Sequence, residues 1–450
     1  MVDYIPNLEK KEEMLREIGL KRIEELFADI PKKVAIDKLN LPSGKSEMCV
    51  KNELKKILGK NRTSDDVACF IGAGMYNHYI PSTVKAITGR AEFYTSYTPY
   101  QPETSQGMLQ ALFEYQSMIA ELTGMDVANA SMYDGSTALA EAVLLAVRHT
   151  GKKNVVIPHA LHWEKKSVLL NYTKRYGLNI KEISYNANDG KINLRQLKEM
   201  VDEETACVYV ENPNFFGVLD DNIVDVREIA KNALFVIGVN PLSLAILHSP
   251  REYGADIVVG EGQALGNPMS FGGPTLGIFA CKEEFVRKMP GRLIGLTKDS
   301  SGRRAFCMVL QTREQHIRRE KATSNICSNE ALCAVATAVY MSTLGRDGLE
   351  EVARINMWKA KKLSEEINKI NGFKAPLFDG PHFNEFVVKL PIEPTTLNKK
   401  LLNEGIQGGY PLKKDFLELG NSMLFAVTEK CTDEDANKLI TALKKMGVGK

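Results

Sequence analysis

Asp134-Gly135-Ser136-Thr137 stands directly before the apolar helical run TALAEAVLLAV. A polar, glycine-containing turn at a helix N-terminus makes an anion site, because unpaired N–H groups and the positive end of the helix dipole both face the ligand. The same turn also reads as a plain N-cap, with Ser136 or Asp134 accepting from the first turn. His159 and His162 follow a β-rich run at 154–157. Two histidines three apart could bind a metal or stack on a ring, yet no acid or cysteine cluster completes a metal set, and ordinary ring packing serves equally. Residues 94–107, YTSYTPYQPETSQG, gather Tyr94, Tyr97, Tyr100, Gln101 and Glu103 with two prolines. Tyr and Pro lose little entropy on ordering, so this stretch suits a rigid lip over a ligand or a loop packed at an interface. In TREQHIRREKATSNIC (312–327), Arg313, Arg318, Arg319 and Lys321 could grip a carboxylate or phosphate, or form a solvated face. The continuation Ala322-Thr323-Ser324-Asn325 favours a turn.

Residues 258–280, VVGEGQALGNPMSFGGPTLGIFA, read as an apolar strand, a glycine-rich turn and a second apolar strand at the edge of a crevice. There is no lysine between Arg251 and Lys282. The run FIGAGMYNHYIP (70–81) lacks the third glycine of a dinucleotide fingerprint and continues into Tyr-Asn-His, which excludes a Rossmann loop.

The elements that must hold these residues alternate along the middle of the chain. Strands are expected at 154–157, 179–183, 206–210, 234–237, 257–259 and 276–280, with helices at 137–149, 165–176, 194–200 and 224–232. Such alternation predicts an α/β domain over 66–327 with a mainly parallel sheet covered on both faces. From 328 to 450 the pattern becomes a smaller α+β domain: helices at 330–344 and 349–370, strand 385–390, helix 395–404, strand 423–428 and helix 432–445. Residues 1–65 read as a helical arm with Ser46 capping a helix over 46–58, too short to enclose a core and suited to packing on the body or on a partner. At 450 residues, 44% hydrophobic and 25% charged, the chain is ordinary for a globular protein with a large core. A net charge of +2 points to neither nucleic acid nor a lipid surface. No apolar run approaches the ~20 residues of a membrane span. The first residues lack an export signal, and the eight cysteines form no CxxC pair, so a cytoplasmic setting with reduced thiols is expected.

FIGAGMYNHYIP, YTSYTPYQPETSQGMLQALFEYQ, ANASMYDGSTALAEA, FGGPTLG and QTREQHIRREKATSNIC stand in the order and spacing of the glycine cleavage system P-protein, which this chain resembles over essentially its whole length. That family occurs as one long chain of two similar halves or as two separate subunits, and this chain is similar to the separate N-terminal one. The resemblance implies the PLP-dependent transferase fold type I, with a seven-stranded-type sheet, a small C-terminal domain and an active site at a dimer interface. In that fold a lysine before a glycine-rich segment holds pyridoxal phosphate (PLP), and an aspartate on an earlier strand pairs with the ring nitrogen. Here the lysine position falls near Gln263, and Gly238-Val239-Asn240 brings no carboxylate. The resemblance places His162 at the ring-stacking position and Asp134, Gly135, Ser136 and Thr137 at the phosphate loop, a pocket shell without a reactive centre.

It further implies that PLP sits on a homologous second subunit in an α2β2 assembly. Together the subunits decarboxylate glycine and pass the aminomethyl group to the lipoyl disulfide of the H-protein. Tyr97, Tyr100, Gln101, Glu103, Thr323 and Asn325 are this chain's candidates for the shared site, Thr323 lying near where related enzymes reach the neighbour's phosphate. Two other classes stay open: a free-standing PLP decarboxylase or aminotransferase using Lys282, and a non-catalytic scaffold that stabilises its partner.

Overall fold

The computed structural model describes residues 7–36, 38–324, 326 and 329–447, and divides into two compact units, 1–62 and 63–450. The first unit carries helices α1 (Lys11–Glu17) and α2 (Glu47–Leu58). Ser46 caps α2, its side chain accepting from the Cys49 N–H, as the Ser-x-x pattern predicts.

The second unit is built on a seven-stranded sheet: β1 (Val127–Ala128), β2 (Asn154–Pro158), β3 (Asn179–Ile183), β4 (Thr205–Glu211), β5 (Leu234–Val239), β6 (Ile257–Glu261) and β7 (Gly277–Cys281). Their order across the sheet is β1-β7-β6-β5-β4-β2-β3. The four pairings from β6 to β3 are parallel, and β7 closes the other side antiparallel to β6 and β1. Alternate residues of each strand enter different cores, which is why the strands read as unbroken apolar runs. Val156, Val208, Phe235 and Val258 pack with Met108, Leu109 and Leu112 of α3 (Gln106–Thr123). Val155, Cys207, Val236 and Ile257 face α4 (Gly135–Thr150), which is buried continuously from Gly135 to Ala146.

Besides short pieces such as β1, two larger elements were absent from the sequence reading. Helix α3 is one, although Met108, Leu112, Tyr115 and Ile119 recur at helical spacing and Gly124 ends it at φ +70°. The other is a hairpin, β8 (Leu293–Lys298) with β9 (Arg304–Val309). Its strands are clamped to α3 by two side-chain amides. Gln116 exchanges both hydrogen bonds with the Ile294 backbone, at 2.9 and 3.1 Å, and Gln106 does the same with Phe306, both at 2.9 Å.

The C-terminal segment follows the expected order, with its first two helices joined into one run, Ala331–Asn368, broken at Gly345 (φ 63°, ψ −171°). Strands β10 (Glu385–Lys389), β11 (Tyr410–Pro411) and β12 (Ser422–Ala426) pair antiparallel in the order β10-β12-β11. Phe386, Val388, Met423 and Phe425 pack on Leu397, Leu401, Leu439 and Leu443 of the following helices. Among the described residues no helix is long and apolar enough to cross a membrane.

Candidate functional site

The parallel strands deliver their carboxyl ends to one cavity, as expected for an open α/β sheet. Glu211 ends β4, Gly238, Val239 and Asn240 come from the end of β5, and Glu261 ends β6; all line it. Asp134 and Ser136 enter from the start of α4, and His162, Glu164 and Lys165 from the start of the helix that follows β2. The chain runs from β2 out to β3 and returns to β4 on the other side of β2, so His162 and Glu211 flank the point where strand order reverses. Ala73, Gly74, Met75 and Tyr76 and, from β10, Glu385 complete the wall.

Asp134 and Thr137 form a full capping box: Asp134 Oδ1 accepts the Thr137 N–H at 2.7 Å and Thr137 Oγ1 the Asp134 N–H at 3.1 Å. The remaining feature of this helix start lies in the pocket itself. Glu261 Oε2 accepts the Gly135 N–H at 3.0 Å, and Glu261 Oε1 accepts from Gln263 N and Leu276 N, each at 3.0 Å. A carboxylate of the chain therefore sits on the backbone group that an incoming phosphate would use. Burial raises the Glu261 carboxyl to about 7 despite those three donors.

Gln263 is 1% exposed and its amide is fully engaged. Oε1 accepts the Tyr76 N–H at 2.9 Å, while Nε2 donates to Tyr76 O at 3.0 Å and to Asn267 O at 2.7 Å. It acts as a buckle on the 70–81 loop, whose close approach explains Gly72: a Cβ there would lie 2.3 Å from Glu385 Oε1. Glu385 accepts from Ala73 N at 2.6 Å and from the Tyr76 hydroxyl at 2.7 Å.

Burial also raises Glu385 to about 7 from 4.5. A carboxyl raised on folding stabilises the fold while protonated, and that contribution is lost as pH rises from the unfolded value through the folded one. Glu385→Gln removes this penalty, so the variant should gain on the parent by roughly 3 kcal/mol between pH 5 and pH 8. Urea unfolding of both proteins across that range checks it, and parallel stability curves would contradict it.

His162 lies in the cavity wall with its ring 5.5 Å from Phe215 and 6.0 Å from Tyr410, and its Nδ1 accepts the Glu164 N–H at 3.2 Å. Burial first, then Lys165, lowers it to about 4, so the imidazole is neutral near pH 7. His159 lies apart, its Nδ1 3.0 Å from Glu182 Oε2 and its ring stacked on Tyr185. No group of three metal-ligating side chains occurs among the described residues.

Lys165, which the sequence reading missed, is the lysine of the cavity wall; its Nζ lies 2.5 Å from Glu211 Oε1, which also accepts from the Tyr209 hydroxyl. Lys282, the amine considered for a free-standing enzyme, pairs with Asp256 and does not line the cavity. PLP needs an available amine and open phosphate donors. This wall has its amide and lysine committed, its helix start covered by Glu261 and Asp134, and Asp134, Glu164, Glu211, Glu261 and Glu385 facing inward, so the residues present do not fit that cofactor. The signal for the missed acids was legible: Glu211 and Glu261 each close an apolar strand, and Glu385 opens one.

The lip residues belong to a different place. Tyr97 is 78% and Tyr100 45% exposed, Gln101 and Glu103 are exposed, and none lines the cavity. The structure joins the lip instead to the 312–324 stretch. Tyr100 meets His316 edge to face at 5.4 Å, and Arg292 reaches both Tyr100 and Glu314. Thr323 is half-buried and donates its N–H to Arg313 O at 3.0 Å. Arg313 itself is not available to a ligand, a correction to the sequence reading: its guanidinium is buried and caps the Met289 and Gly291 carbonyls. Asn325 lies outside the described residues.

The family model for the glycine cleavage system P-protein matches residues 3–443. The chain belongs to that family. A P-protein relative from Pyrococcus abyssi, named "Probable glycine dehydrogenase (decarboxylating) subunit 1", is 51% identical over 449 residues, covering 98% of this chain and 99% of its own. One of the same name from Desulfitobacterium hafniense is 47% identical over 446 residues, with 98% and 99% covered. A crystal structure of glycine decarboxylase (P-protein) of the glycine cleavage system, in inhibitor-bound form, superposes with a TM-score of 0.91 at 43% identity, covering 99% of this chain and all of that one. Glutamate decarboxylase of Lactobacillus brevis, at 13% identity, TM-score 0.68 and coverage of 92% and 95%, shares the fold alone. The architecture of this P-protein family member is the PLP-dependent fold type I.

Proposed function

We propose that this chain is the first of two different subunits of a glycine decarboxylase, and that the second subunit carries PLP on a lysine of its own. In this reading the pair removes CO2 from glycine and passes the aminomethyl group to the lipoyl disulfide of the H-protein, within a cytoplasmic α2β2 assembly. PLP supplies an electron sink for the decarboxylation, and that chemistry belongs to the partner. This chain contributes its lip, with Tyr97, Tyr100, Gln101, Glu103, Thr323 and Asn325, to the partner's site, where such residues orient glycine and exclude water.

The observation that carries the reading is the state of this chain's own cavity. It keeps the outline of the fold's active site, yet Gln263 is spent on the Tyr76 backbone and Lys165 on Glu211. Coverage of nearly the full length of relatives named subunit 1 supports the partnership. Co-expression with the cognate second subunit, followed by a PLP count, tests it. A single PLP per pair of subunits, fixed by borohydride to the partner, is the expected result. PLP fixed to a lysine of this chain, or glycine decarboxylation by this chain alone, would overturn it.

A further inference from the structure

Arg292 is 5% exposed, just before the first strand of the β8–β9 hairpin and beneath the lip. Arg313, its neighbour in space, is used up on backbone carbonyls; Arg292 is not. Its two terminal nitrogens donate to Thr98 Oγ1 and to the Tyr100 hydroxyl, each at 3.3 Å, and its Nε lies 3.5 Å from Glu314 Oε2. The guanidinium also stands 5.5 Å from the centroid of the Tyr100 ring, and His316 meets the same ring at 5.4 Å. The exposed tyrosine is thus held by a buried cation that reaches its hydroxyl, with an imidazole against its ring.

Stability alone does not call for this arrangement. A buried Arg–Glu pair is on balance no better than well-packed apolar side chains of the same volume. A rigid guanidinium fork does what an apolar side chain cannot: it fixes the direction of a phenol oxygen. We propose that Arg292, paired with Glu314, is the positioning residue that holds Tyr100 in the orientation in which it completes the partner subunit's site. The proposal rests on the shared-site reading above. It adds that the lip works as a preset tyrosine on an arginine post, rather than as a loop ordered by the partner.

The test uses the complex assembled with wild-type partner, with glycine–bicarbonate exchange measured over a range of glycine concentrations. Arg292→Met should lower kcat on the order of tenfold per assembled complex with a smaller change in KM, because orientation rather than glycine binding is lost. Arg292→Lys should recover part of that loss. Arg292→Met combined with Tyr100→Phe should be no slower than Tyr100→Phe alone, since the arginine acts through the tyrosine. Multiplicative losses in the double variant, or an Arg292→Met complex that melts earlier yet turns over normally, would overturn the proposal while leaving the shared site standing. Unchanged exchange in Tyr100→Phe would instead sink the role given to the tyrosine, and the proposal with it. Should Arg292→Met fail to assemble, Glu314→Gln keeps the guanidinium and is read by the same kcat and double-variant criteria.

Discussion

A subunit carrying Tyr100→Phe, Glu103→Gln and Thr323→Ala, mixed with its wild-type partner, should lose glycine–bicarbonate exchange by about a hundredfold while still assembling. The size follows from geometry. Positioning groups around a reacting centre act as a unit, and small displacements of a held substrate are expensive in rate. The substitutions are mild for the fold. Glu103 is exposed, and Thr323 keeps the backbone N–H that it gives to Arg313 O. Tyr100→Phe removes one 3.3 Å hydrogen bond from Arg292, a loss of about 1 kcal/mol. Activity and stability should therefore separate, which is what distinguishes a shared site from a scaffold. A scaffold predicts the reverse: full turnover from the triple variant and loss only when the contacts between subunits are cut. Exchange at the wild-type rate would remove these three residues from the site.

Gln263→Leu should destabilise the protein by about 3–5 kcal/mol. Three hydrogen bonds disappear, and the buried Tyr76 N–H loses the acceptor that Gln263 Oε1 provides. An unpaired buried donor adds its desolvation cost to the net value of the lost bonds. The same geometry explains why a lysine is not a drop-in replacement at this position. An ammonium can donate to the Tyr76 and Asn267 carbonyls but cannot accept from the Tyr76 N–H. Urea unfolding with an unchanged m value checks the prediction, and a loss below about 1 kcal/mol would mean that the loop does not depend on its buckle.

Much of this molecule was readable in its residues. Apolar runs such as 234–237 and 257–259 marked the strands because strands buried on both faces need no polar alternation, and β5 and β6 lie where those runs fall. The caps at Ser46 and at Asp134, one of the two capping residues the turn offered, follow from local hydrogen bonding, which a few neighbouring residues determine. The missing amine between Arg251 and Lys282 was likewise a property of the residues alone.

What only the tertiary structure decided was pairing across distance. Glu261 meets Gly135, 126 residues away, and Tyr76 meets Glu385, 309 residues away. Nothing in either local sequence says that the carboxylate closing β6 will cover the start of α4. The separation of His162 from Tyr100, one in the cavity wall and the other on the lip, is likewise set by the sheet order and the α3–hairpin clamp. Helix caps and strand runs are won by contacts within a turn or a pleat, so the chain announces them. A buried carboxylate takes the donor that the packed fold brings within reach, and that choice exists only once the sheet has formed.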